Sequence, residues 1–184
     1  MSKIKINWNS EKLLSLSAMS ISFITLIIFI YQTNLISKQN YISILPYLSI
    51  SATDNSADDT FEINLENHGV GPAIVESVTM THKGKRYDLA NYNNEMYKFL
   101  VSQAPELDSI INRSSSTLDN GMAIPVNATL NVFKVFNSPA DYRLITSSWN
   151  RLLEEGLDYE IVYRSILDEH WMIHKGSQGP RKLD

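Results

Sequence analysis

The side chains in this 184-residue chain best suited to chemistry are four histidines and the paired carboxylates Glu154-Glu155 and Asp168-Glu169. His170 and His174 are four apart in a stretch that reads as a strand. They share a face but stand about 13 Å apart, too far to bind one metal ion. His68 sits in a glycine turn and His82 at a hairpin shoulder, with no Ser or Asp at triad spacing beside either. The acid pairs fall at a helix end and in a turn, where solvation accounts for them. There is no P-loop, no His-Glu-x-x-His and no nucleophile elbow. With no cysteine in the chain, disulfides, Cys-based zinc sites and Cys nucleophiles are excluded. The expectation is a protein that is not an enzyme, with no cofactor, no metal site and no small-molecule substrate.

Two motifs remain. Asn67-His-Gly-Val-Gly-Pro-Ala73 contains a Gly-x-Gly, but it joins two strands and opens no helix, so no helix N-terminus is present to receive a phosphate. It reads as a structural turn: Asn67 caps it, Gly69 and Gly71 are free to take positive φ, and Pro72 fixes φ before the next strand. Lys83, Lys85 and Arg86 cluster at a hairpin tip. They are a candidate contact for a nucleic-acid-bearing partner or for lipid headgroups, set against a simply solvated turn. Asn112-Arg-Ser and Asn127-Ala-Thr match glycosylation acceptors, but nothing else suggests a eukaryotic secreted chain.

The element to which all of this is attached is Leu13 to Ser37, which holds no charged residue. As a helix, 25 residues rising about 1.5 Å each reach roughly 37 Å, enough to cross a hydrocarbon core of about 30 Å. Lys3, Lys5, Lys12 and Trp8 precede it, and no small-x-small site follows, so an uncleaved anchor is expected rather than a signal peptide. Three lysines before the helix and Lys38 after it favour an inside N-terminus and an outside domain. Ser15, Ala18, Ser22 and Thr25, spaced 3, 4 and 3, fall on one helical face continued by Gln32. Such a face admits close approach of a second helix, while Ser and Thr also commonly bond their own backbone four residues back.

Beyond the anchor about 147 residues remain, one ordinary domain. They carry 13 Lys and Arg against 19 Asp and Glu, which disfavours a broad grip on nucleic acid or anionic lipid. Tyr41 to Ser51 alternates apolar and polar, with Pro46 marking a sheet edge or a lead-in. Thr60 to Asn67 has a period of two, with Phe61, Ile63 and Leu65 inward. Strands follow at Ala73 to His82 and Lys85 to Leu89, then a helix within Asn93 to Gln103 and a turn or two over Pro105 to Ile111. Residues 112–120 read as loop, with strands at Gly121 to Pro125 and Ala128 to Phe136. A helix capped by Ser138 with Pro139 at its first position stops at Gly156, and a last hairpin runs from Asp158 to His174. The expected architecture is mainly β: a 1–12 tail, a transmembrane helix over 13–37, a connector with the first strand over 38–59, an immunoglobulin-like β-sandwich with two helical insertions over 60–175, and a flexible tail over 176–184.

The order of a spanning helix, the exit Tyr31-Gln-Thr-Asn-Leu-Ile-Ser-Lys-Gln39, a proline-bearing strand, Asn67-His-Gly-Val-Gly-Pro-Ala73 and a final Tyr159-Glu-Ile-Val-Tyr163 strand resembles a widespread group of small bacterial membrane proteins. Within it the chain is most similar to the membrane effectors carried beside bacterial retrons. The resemblance spans nearly the whole chain, but its motifs are turn chemistry, and no catalytic residue carries over. It implies a single-pass protein of the bacterial inner membrane in antiphage defence. A reverse transcriptase with attached RNA-DNA would restrain it, and on release it would self-associate, act on membrane lipid and cause abortive infection. That role needs a cytoplasmic domain, opposite to the lysine count. The other reading is a non-enzymatic envelope adaptor whose sandwich binds another protein along a sheet edge.

Overall fold

The computed structural model describes residues 9–183, so the expectations placed on Lys3, Lys5, Trp8 and Asp184 lie outside the described residues. The chain divides into two compact units, one ending at Ile42 and the other running from Ser43 onward.

The first unit is one helix, α1 (Ser10–Ile42), of 33 residues. It is longer at both ends than the uncharged run that forecast it. At its start, Glu11 complements the helix N-terminus. At its end nothing in Lys38-Gln-Asn-Tyr-Ile42 breaks a helix, so the alternation read from Tyr41 becomes extended chain only at Leu48. Pro46 lies in the lead-in and is buried. Residues Ser10–Asn40 are long and apolar enough to cross a membrane.

The second unit is built on ten antiparallel strands: β1 (Leu48–Asn55), β2 (Thr60–Asn67), β3 (Ala73–His82), β4 (Lys85–Asp88), β5 (Arg113–Ser115), β6 (Ala123–Ile124), β7 (Thr129–Val135), β8 (Asp158–Arg164), β9 (His170–His174) and β10 (Arg181–Lys182). One sheet has the order β1-β2-β7-β5. The other runs β10-β9-β8-β3-β4, with β6 also paired to β3. Buried residues of both sheets, among them Ile63 and Leu65 on β2, Met80 on β3, and Ile161 and Tyr163 on β8, belong to one continuous core.

Strict alternation fails where a bulge intervenes. On β3 the buried set passes from Ala73 and Val75 to Val78, Met80 and His82, a change of phase produced by the register shift between Val75 and Ser77. On β2 and β7 the shift between Ile63 and Asn64 leaves Val132 without an opposite residue, so Val132 and Phe133 are buried side by side.

Helix α2 (Met96–Gln103) lies between β4 and β5, after a 3₁₀ turn at Leu89–Tyr92 and before another at Pro105–Ser109. Its Tyr97 stacks on Phe133 at 5.1 Å between centroids, and Phe99 packs against Tyr87 and Tyr92. Helix α3 (Pro139–Glu154) joins β7 to β8. Ser138 Oγ accepts from Asp141 N at 3.2 Å, and Gly156 follows at φ 86°. Its Trp149 packs on Phe61 at 5.6 Å. Two elements were not legible as strands. β5 falls within the polar 112–120 segment, and β10 within the tail read as frayed. Both are two or three residues long, and β10 is held by Lys182 donating to Glu169 at 2.7 Å. A pairing that short has no periodicity of its own; the neighbouring strand supplies it.

Candidate functional surfaces

On α1, the hydroxyls of the small-residue face are already engaged within their own helix. Ser15 donates to Glu11 O at 2.9 Å, Ser22 to Ala18 O at 2.9 Å and Thr25 to Ile21 O at 2.8 Å. Thr33, in line with Ser15 about five turns on, and Ser17 and Ser20, on other faces, do the same with a residue three or four back. A hydroxyl spent in this way presents a small, nearly apolar surface. What Ser15, Ala18, Ser22 and Thr25 can offer a second helix is therefore a shallow strip for close approach.

The Asn67 turn is built for structure. Asn67 is 1% exposed and uses its full hydrogen-bonding capacity. Its Oδ1 accepts from Tyr47 N at 3.2 Å and Gly69 N at 3.0 Å, while Nδ2 donates to Gly71 O at 2.9 Å and Ile124 O at 3.0 Å. One amide thus joins the lead-in of β1, its own turn and the end of β6. The glycines are required for a reason other than the expected one. Neither Gly69 nor Gly71 has positive φ. A Cβ on Gly69 would collide with Leu45 O and lie 2.7 Å from Pro46 C, and one on Gly71 would collide with Ile44 O and lie 2.8 Å from Ile44 Cα. Backbone atoms cannot rotate out of the way. Pro72 leads directly into β3, whose first residue, Ala73, is fully buried. Close approach of the incoming chain fixes both glycines, and backbone N–H groups that a phosphate would need are occupied: Val70 N and Gly71 N both donate to Leu45 O.

The basic tip is largely neutralised. Lys83, in the left-handed region at φ 50°, reaches Glu155 at 3.1 Å, and Arg86 reaches Glu160 at 2.8 Å. Lys85 is exposed at the start of β4. The ammonium of Lys83, followed by burial and His82, sets the balance on Glu155, whose carboxyl is held below the usual range. Exposed pairs of this kind contribute little to stability.

The histidines do not converge. His82 is 2% exposed and sits between Gln103 Oε1 at 2.9 Å and Glu155 Oε2 at 3.0 Å, tying the end of β3 to α2 and α3. His170 Nδ1 faces Glu76 at 2.8 Å, His174 Nδ1 faces Lys175 O at 2.8 Å, and His68 pairs with Glu66 at 3.0 Å. Among the described residues no group of three or more His, Asp or Glu side chains could hold a metal. Asp168 and Glu169 face Arg164 and Lys182.

Two features had no signal in the sequence. One is a small apolar cavity of about 210 Å³ bordered by Ile50, Ala52, Met80, Met96, Trp149 and Leu153. These residues come from four separate elements, β1, β3, α2 and α3, so no local pattern announces it. The other is Glu106, which binds both Ser148 and Arg151 of α3. Its carboxyl is lowered by its own backbone N–H and by Arg151, against the opposing effect of burial. This pins the Pro105–Ser109 turn to α3. Comparison with protein-family models, with curated proteins and with solved structures returns no match to this chain.

Proposed function

We propose that the chain is a single-pass protein of the bacterial inner membrane whose β-domain is a binding module that controls the anchor, and that it acts as a membrane-perturbing effector of antiphage defence. In this reading a reverse transcriptase carrying RNA-linked DNA holds the domain. Release lets α1 helices associate through Ser15, Ala18, Ser22 and Thr25 and breach the bilayer, causing abortive infection. The chain works without enzymatic activity, cofactor or small-molecule substrate. The observation that carries the membrane part is α1 itself, 33 residues with every described side chain exposed and a span-length apolar run from Ser10 to Asn40. The defence role rests on the resemblance of the Tyr31–Gln39 exit, the Asn67–Ala73 turn and the Tyr159–Tyr163 strand to retron effectors.

Strand order supports an immunoglobulin-like sandwich. The sheet β1-β2-β7-β5 corresponds in chain order to strands A, B, E and D, and β9-β8-β3 to G, F and C, with β4 as an added edge. Helices α2 and α3 then stand as the two insertions, after the added edge strand and between E and F. Such domains serve mostly as recognition modules, which suits a regulated partner more than a catalyst.

A second reading, an envelope adaptor, is favoured by β1. All eight of its residues pair on one side with β2, and it ends the sheet on the other; beyond Leu48, whose N–H donates to the Tyr163 hydroxyl, its outer edge is the site for strand addition by a partner. A topology reporter fused at Asp184, with purification from solubilised membranes, separates the two. A cytoplasmic reporter and copurified reverse transcriptase with attached DNA are expected for the effector. A periplasmic reporter with an envelope protein retained would overturn it in favour of the adaptor.

A further inference from the structure

One end of the β-domain differs from the other in a way that the core does not explain. Among the described residues outside α1, the exposed large hydrophobics are Tyr47, Val70, Ile111, Val126, Ile166 and Leu167. All but Ile111 are gathered by strand pairing at a single end. Leu48 pairs with Asn67, which places Tyr47 and the turn holding Val70 there. Ala73 and Ile74 pair with Ile124 and Ala123, bringing Val126, and Ile74 pairs with Arg164, bringing Ile166 and Leu167. The opposite end holds the turns at residues 56–59, 83–84 and 155–157, whose exposed side chains are polar apart from Ala57, and the chain before β5, where Ile111 stands alone as an exposed large hydrophobic.

These apolar residues occupy rigid turns. Val70 N donates to Leu45 O at 3.0 Å and Asn127 N to Asn67 O at 3.0 Å. Buried Ser165 accepts from Leu167 N at 3.2 Å and Glu169 N at 3.3 Å, closing a turn that holds Ile166 and Leu167 outward at 52% and 56% exposure. Tight turns ordinarily carry Gly, Asn, Asp, Ser or Pro at their tips, so aliphatic side chains fixed there call for a partner.

The partner follows from the covalent chain. The uncharged run ends at Ser37, and Lys38 to Ile42 adds five helical residues, about 8 Å, close to the thickness of one headgroup layer. Leu45, whose carbonyl fastens Val70, is only three residues further on, at most about 11 Å of chain. We infer that this end of the β-domain, through Val70, Val126, Ile166 and Leu167, inserts into the headgroup–acyl boundary of the bilayer that α1 spans. The lipid contact is apolar and not charge-driven, since Asp168 and Glu169 at the same tip already face Arg164 and Lys182. The inference rests on α1 being a transmembrane anchor.

Because the chain has no cysteine, single substitutions label one site each. The full-length protein is reconstituted in vesicles of phosphatidylethanolamine and phosphatidylglycerol with an environment-sensitive fluorophore on Ile27→Cys, Val70→Cys, Leu167→Cys or Ala57→Cys. Quenching is read from lipid brominated high on its acyl chains, where an interfacial side chain lies about 5–10 Å deep. Quenching at 70 and 167 several-fold above that at 57 is expected, and Ile166→Ser together with Val126→Ser should reduce it at both. If 27 is quenched while 70 and 167 match 57, the docking inference falls and the anchor stands. If 27, about 15 Å below Ser37 and so near the bilayer centre, is not quenched by lipid brominated near the ends of its acyl chains, the anchor itself falls and the inference with it. Probes at 70 and 167 shielded from an aqueous quencher but untouched by brominated lipid would replace lipid by a protein contact, such as a second copy of this chain.

Discussion

At the scale of single residues, Asn67 and Gly71 carry most of what this fold requires locally. Asn67→Ala removes four hydrogen bonds and leaves the buried carbonyls of Gly71 and Ile124 without a donor. The expected loss is about 3 kcal/mol, since an unmet buried polar group costs about 1–3 kcal/mol and three are created, the two carbonyls and Gly69 N. Thermal unfolding of the β-domain should fall by about 6–12 °C. His68→Ala, one residue away but exposed, should change stability by less than about 0.5 kcal/mol. Equal effects from the two would show that the turn is not held as described. The sequence pointed to Asn67 as a cap because Asn before a glycine bonds its own turn. It gave no hint that the same amide bridges to β6, 57 residues away, or that the glycines answer to the backbone of Ile44 to Pro46 rather than to their own φ.

At the scale of elements, α1 was legible almost entirely, because a run without charges and a helical period are local properties of the chain. Its ends were not, since Lys38 to Ile42 is polar yet has nothing to stop a helix. The i−4 hydrogen bonds of Ser15, Ser22 and Thr25 give this face a sharp test. If α1 pairs through close packing, Ala18→Leu with Ser22→Leu should reduce crosslinked oligomer in membranes several-fold, whereas Ser22→Ala should leave it within about twofold. A loss with Ser22→Ala would mean that interhelical hydrogen bonds hold the helices. Crosslinking unchanged by the leucine pair would remove this face from the interface. Strands β2 and β3 were also readable, because one face of each is buried and the period of two is visible in Phe61, Ile63 and Leu65. The phase change within β3 was not, since a bulge shifts the face without changing residue type.

At the scale of the whole molecule, the core is closed around buried tyrosines. Burial is the largest cause raising the hydroxyls of Tyr97, Tyr159 and Tyr163, the last most strongly, while Tyr142 is raised chiefly by its bond to Asp54. A raised folded-state pKa means that the neutral form is favoured in the fold. The stability this contributes is complete below the unfolded value of about 10 and is lost as pH rises through the folded values. Denaturant midpoints should therefore hold steady up to about pH 10 and fall above it. Tyr163→Phe should flatten that fall, at a cost of about 1 kcal/mol near neutrality because Leu48 N loses its acceptor. A profile above pH 10 unchanged by Tyr163→Phe would show that this ring is not buried as described.

What the amino-acid order determined alone is the membrane-length helix, the mainly β composition of the rest, the positions of the main turns, and the absence of any familiar catalytic motif. These depend on charge, periodicity and turn chemistry within a few residues. Only tertiary structure decided which strands share a sheet, that Lys83 and Arg86 are neutralised by Glu155 and Glu160, and that Val70, Val126, Ile166 and Leu167 meet at one end. The cause is pairing between distant segments: Glu155 lies 72 residues from Lys83 and Leu167 lies 97 from Val70. No local pattern encodes such separations, so surfaces assembled across them become visible only once the sheets are formed.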